Sequence, residues 1–169
     1  WYTNNNEELK MADKATGSTS AAVFLDEVKA AMGGGCSYEP ADSTQKWVFA
    51  EVSVDDDAAL LGTGNDTMDD GTALHANDTY KWVAVKNMST DKTDGIGINL
   101  DGGDSTAIAD ATAMFISGGE MIILKPVNCT VANLHVGSVT MDSGGSYPNA
   151  TNADPVTAQV AAIIDTDVG

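Results

Sequence analysis

Hydrophobic positions in this chain follow two different periods. In the run AAVFLDEVKAAM, Phe24, Leu25, Val28, Ala31 and Met32 fall at helical spacing on one face. Ser20 stands where a capping hydroxyl belongs, and Gly33-Gly34-Gly35 is a strong stop, so the pattern predicts a helix over 21–32. Beyond residue 45 the period drops to two. KWVFAEVSV (46–54) and KWVAVKN (81–87) alternate, and their β-branched and aromatic content fits strands. GIGINL (95–100), TAMFIS (112–117), EMIILKP (120–126), TVANLHVGSV (130–139) and VTAQVAAIID (156–165) read the same way, with a short edge element expected around Ala58–Leu61. Ser117-Gly118-Gly119-Glu120 reads as a hairpin turn between two of them, while 55–78 and 141–155 read as long polar connections.

Roughly seven or eight short strands behind a single helix do not alternate as a parallel βαβ sheet requires. The expected fold is mainly β, an antiparallel β-sandwich or jelly roll with one N-terminal helix. Its core should draw on Trp47, Phe49, Trp82, Val83, Val85, Ile98, Phe115, Ile122, Leu124, Leu134, Val136 and Ile163, some of which must point outward, since alternation alone does not say which. Residues 1–20 are polar and read as a flexible arm, leaving 21–169 as one domain. Within the arm, Met11 opens an ordinary-looking start, MADK, and Glu7-Glu8 are encodable by a purine-rich ribosome-binding string. Residues 1–10 are therefore a candidate translated leader, with proteolytic maturation as the rival explanation.

Charge narrows the partners. The chain carries 25 acidic residues against 8 basic ones, a net charge of −17. Such a surface repels a phosphate backbone, and all of its cations are lysine, so the bidentate guanidinium grip on phosphate is missing. Nucleic acid and anionic membrane are thereby disfavoured, and no apolar run approaches the length of about 18 residues that marks a membrane-spanning helix.

Few residues are placed for chemistry. Nucleophile-elbow, phosphate-loop and zinc-helix signatures do not occur. Asp66, Asp69 and Asp70, with Asp101 and Asp104 around a glycine pair, supply the hard oxygens that calcium prefers, yet their spacing misses the helical calcium loop; a solvated turn is the competing reading, and no cofactor is otherwise expected. His75 and His135 would need a carboxylate and converging geometry to hold a metal. Cys36 and Cys129 fit neither a zinc site nor a redox motif, and read as small buried apolar residues or as one disulfide. N-x-S/T triplets occur at Asn65, Asn77, Asn87, Asn128 and Asn149, which matters only for an exported protein.

The stretch from KWVAVKNMSTDKTDGIGINLDGG to AMFISGGEMIILKPVNCTVANLHVGSV, within 81–139, resembles small virion structural proteins of tailed bacteriophages. The resemblance implies a β-sandwich without catalytic residues, located in the virion after synthesis in the host cytoplasm. Its partners would be the major capsid protein or other virion proteins, and it would form a homo-oligomer. The arm and the helix face of Phe24, Leu25 and Val28 are then the expected assembly contacts. The alternative is an exported cell-surface or filament β-sandwich module with an adhesive or sugar-binding role, supported by the five triplets and a Cys36–Cys129 bridge.

Overall fold

The computed structural model describes residues 14–25, 28–62, 68–106, 113–145, 148–151 and 154–166, with the backbone alone for 19–25, 28–32 and 149–151. In chain order the strands are β1 (Ala15–Leu25), β2 (Val28–Tyr38), β3 (Gln45–Val54), β4 (Ala58–Ala59), β5 (Thr79–Asn87), β6 (Asp94–Asn99), β7 (Met114–Ile116), β8 (Met121–Leu124), β9 (His135–Met141), β10 (Pro148–Thr151) and β11 (Val156–Asp165). The chain is mainly β, every strand pairing is antiparallel, and no helix occurs among the described residues. It separates into two compact units, Trp1–Ala41 and Asp42–Gly169. The leader segment 1–10 lies outside the described residues.

The first unit corrects the expected helix. Residues 21–25 and 28–32 are extended, and β1 pairs with β2 in an unbroken register from Ala15↔Tyr38 to Leu25↔Val28. An isolated helix of one amphipathic segment is marginal in water, and it would leave the polar flanks on either side without backbone partners. The hairpin pairs both flanks. The three glycines expected to end a helix instead face Ser20, Thr19 and Ser18 across the ladder. Residues 15–20, read from sequence as arm, belong to β1, and Phe24 and Leu25 lie opposite Lys29 and Val28 rather than on a helical face.

The second unit holds two sheets. One has the order β3-β11-β5-β8; the other has the order β10-β9-β6-β7, with β4 also on β9. A single apolar cluster draws on both, including Val48, Val83, Val85, Val160 and Ala162 from the first and Ile96, Ile98, Ile116 and Val136 from the second. The arrangement is consistent with a β-sandwich. Alternation decides which residues face inward. Because Val48, Ala50, Val52 and Val54 of β3 line the core, Trp47 and Phe49 point to the opposite face, which corrects their expected place in it.

Two local features depart from the expected strand plan. Ser117–Glu120 is a turn, with the Glu120 N–H donating to the Ser117 carbonyl at 3.0 Å, but β7 and β8 go to different sheets. Only Gly119 has positive φ, +81°, which marks a type II turn, whereas a two-residue hairpin needs a primed turn to match strand twist. In β5, Ile163 faces Trp82 and Ile164 faces Tyr80, so Lys81 is the extra residue of a bulge; its ammonium pairs with Asp165 at 3.1 Å.

Candidate functional site

The acidic loops have a sequence logic of their own. In Asp42-Ser43-Thr44, Asp70-Gly71-Thr72, Asp91-Lys92-Thr93 and Asp104-Ser105-Thr106, the aspartate Oδ1 accepts the N–H of the threonine two residues on, at 2.9, 3.0, 2.9 and 2.8 Å. Asp101 does the same for Gly103 at 3.0 Å. These are Asx turns, in which the carboxylate stands in for a backbone acceptor and closes the loop locally. The threonine hydroxyl and N–H hold the Asp70 carboxyl down at about 2, with Lys46 at 3.1 Å contributing. Thus Asp70, Asp101 and Asp104 are occupied as loop staples, Asp69 is exposed, and Asp66 lies outside the described residues. Among the described residues no group of three or more His, Cys, Asp or Glu side chains gathers to hold a metal ion. Adding millimolar calcium is expected to leave the melting temperature unchanged; a rise would show that these carboxylates reorganise into a site.

One polar constellation, part-buried around the wholly buried Ser105, was not legible from spacing. Asp57 sits between β3 and β4, and its Oδ1 accepts both the N–H (2.8 Å) and the hydroxyl (2.5 Å) of Ser105. Its Oδ2 lies 3.0 Å from Nδ1 of His135, whose Nε2 lies 3.1 Å from the Ala132 carbonyl. Serine, aspartate and histidine meet here, but the aspartate is central. In a hydrolytic triad the histidine stands between the other two and takes the serine proton. Here the Ser105 hydroxyl donates to a carboxylate and His135 is directed at a main-chain oxygen, so the group works as a clamp joining β4, β9 and the 104–106 loop. His75 is exposed in the loop before β5 and contributes nothing to it.

Burial works to raise the Asp57 pKa, but the Ser105 hydrogen bonds and His135 outweigh it and hold the carboxyl below its usual value. A depressed folded-state pKa stabilises the fold above the unfolded value of about 3.9 and ceases to do so as pH falls through the folded value. Wild type is therefore expected to melt above Asp57→Asn at pH 7, with the gap closing as pH falls below the unfolded value and through the lower folded one. A gap that persisted unchanged at pH 2 would contradict the clamp.

The cysteines are both free thiols: Cys36 is partly exposed on β2 and Cys129 is buried. Burial, with Asp101 nearby, pushes the Cys129 thiol up to about 11. A thiol reagent is expected to label Cys36 in the native protein and Cys129 only after unfolding; equal labelling rates would show the second unit to be open at that position. Among the glycosylation triplets, Asn87 is wholly buried.

The outer face of the four-stranded sheet is the most unusual surface of the second unit. Register places Trp47, Ile163 and Trp82 in one row, and Phe49, Ala161, Ala84 and Ile123 in the next. Trp82 packs edge-on against Trp47 at 6.4 Å and is only 4% exposed, whereas Phe49 is 71% exposed. Of these residues Phe49 alone is exposed; Trp82, Ile163 and Ala84 are buried, and the next row on the same face, Glu51, Gln159 and Lys86, is polar. The expected contacts Phe24, Leu25 and Val28 lie on β1 and β2, where only the backbone is described. Alternation around Val48 carried the signal for Phe49, once the inward set is taken to be the valines. Neither protein-family models, nor curated proteins, nor solved structures give a match to this chain.

Proposed function

We propose that this chain is a non-enzymatic structural protein of a virus particle, a capsid decoration, cement or related assembly subunit of a tailed phage, with a β-sandwich body. The observation that carries this reading is Phe49, an aromatic side chain 71% exposed on the sheet face that also carries the Trp47–Trp82 pair, on a strongly acidic protein. Charge keeps the free subunit soluble, and the exposed Phe49 supplies an aromatic anchor to bury against the major capsid protein, another virion protein or a further copy. The Asx-turn loops and the Asp57 clamp spend their carboxylates on holding loop shape, which suits a scaffold. The exported alternative draws less support, since Asn87, one of its five triplets, is buried. Density-gradient fractionation of a lysate from the native source, with the chain followed by mass spectrometry, tests the proposal. The chain is expected to band with particles; recovery with cell envelopes would favour the exported module.

A further inference from the structure

The outer edge of β3, unpaired between Trp47 and Asp55 among the described residues, carries a second, independent inference. Along β3, residues whose amides point toward β11 alternate with residues whose amides point away. Two bonds fix the outward set: the Asp69 N–H donates to the Trp47 carbonyl at 2.9 Å, and the Ser138 N–H donates to the Asp55 carbonyl at 2.8 Å. Between these two anchors Phe49, Glu51 and Ser53 therefore direct their N–H and C=O groups away from the sheet. Among the described residues nothing hydrogen-bonds to them on that side. A strand that is long, apolar and unpaired at its edge is a template for another strand.

The same edge ends in a cleft of about 260 Å³. Val52, Ala58 and Val136 give it apolar walls, and the exposed Asp55 and Asp56 stand at its rim. Glu51 lies on the exposed face two positions before Ser53. Apolar walls leading to a carboxylate rim suit a side chain with an aliphatic stem and a cationic head. We propose that the β3 edge docks an extended segment of a partner protein bearing lysine or arginine, whose main chain pairs with Phe49, Glu51 and Ser53 and whose basic side chain enters this cleft.

A second copy of this chain fits the edge poorly. Antiparallel self-pairing about Phe49 sets Asp56 opposite Asp42, pairing about Glu51 sets two Glu51 side chains opposite each other, and pairing about Ser53 sets Glu51 opposite Asp55. Each of these three registers sets like charges face to face, and a net charge of −17 on each chain opposes any closer approach of two copies. A basic partner strand has no such conflict. The inference rests on edge geometry and charge, and it holds whether or not the assembly is a virus particle.

Chemical-shift mapping on the full, isotope-labelled chain tests it with synthetic probes. The probe is a short, end-capped peptide alternating lysine and valine, compared with a twin carrying glutamate for lysine and with a version N-methylated at alternate residues. The lysine peptide is expected to shift the Phe49, Glu51 and Ser53 amides saturably at about millimolar concentration. The glutamate twin and the N-methylated version should each bind at least about tenfold more weakly, as should the lysine peptide to the Asp55→Asn, Asp56→Asn double variant. Shifts scattered over other acidic surfaces, equal binding of the N-methylated peptide, or no saturable shift at these three amides would overturn the proposal.

Discussion

Gly97→Ala is expected to destabilise the second unit by about 3 kcal/mol, lowering its melting temperature by roughly 10 °C. Gly97 lies on β6, opposite Gly137 of β9 and Phe115 of β7. A Cβ built at this position falls well inside van der Waals distance of the Ser105 carbonyl oxygen and 3.2 Å from the Phe115 ring. The obstacle is backbone, and that backbone is held in place by the two Ser105 hydrogen bonds to Asp57. Admitting the methyl group therefore means lifting the 104–106 loop and breaking the clamp. A Gly97→Ala change below about 1 kcal/mol would show that the loop does not lie clamped over the sheet.

Asn87→Ala should cost a similar amount, about 3 kcal/mol, through polar groups left unpaired rather than through overlap. Asn87 ends β5 in the four-stranded sheet and is 0% exposed. Its Nδ2 donates to the Asp94 carbonyl at 2.7 Å, at the start of β6, and is 3.5 Å from the Ile116 carbonyl of β7. Its Oδ1 accepts the Ser89 N–H at 3.0 Å. One amide thus ties the end of an inner strand of one sheet to the other sheet and closes the following turn. Asn87→Asp keeps the shape but turns an oxygen toward two carbonyls, so it should be no better tolerated than alanine near neutral pH. Denaturant titration of both variants reads this directly. Stability within about 0.5 kcal/mol of wild type would mean that the sheets do not depend on this bridge.

These two positions also show where sequence reading succeeds and where it stops. The strands of the second unit were visible because alternation of valine, isoleucine and alanine with polar residues is a local signal, and β3, β5 and β11 match it closely. Gly97 and Asn87 were invisible because their importance comes from residues distant in the chain, Ser105 and Asp57 for one, Asp94 and Ile116 for the other. The helix expected over 21–32 failed for a related reason: helical spacing of five apolar residues is equally compatible with two short extended arms, and pairing with 15–20 and 33–38 decided between them. The Asp-x-Thr turns were legible in principle. Their recurrence at 42, 70, 91 and 104 points to local hydrogen bonding by the aspartates, a more economical reading of that acidity than calcium binding. Register across β3, β11 and β5 assigned Phe49 to the outer face, and no inspection of β3 in isolation distinguishes its two sides.

Zero-length carbodiimide coupling of carboxylates to amines, applied to the gradient-purified particle fraction and read by peptide mass spectrometry, tests the assembly role most directly. The account predicts that the chain is present in that fraction and that peptides containing Glu51, Asp55 or Asp56 are joined to lysines of a different particle protein. Absence of the chain from the particles, or its recovery there without a bond to any other particle protein, would contradict it.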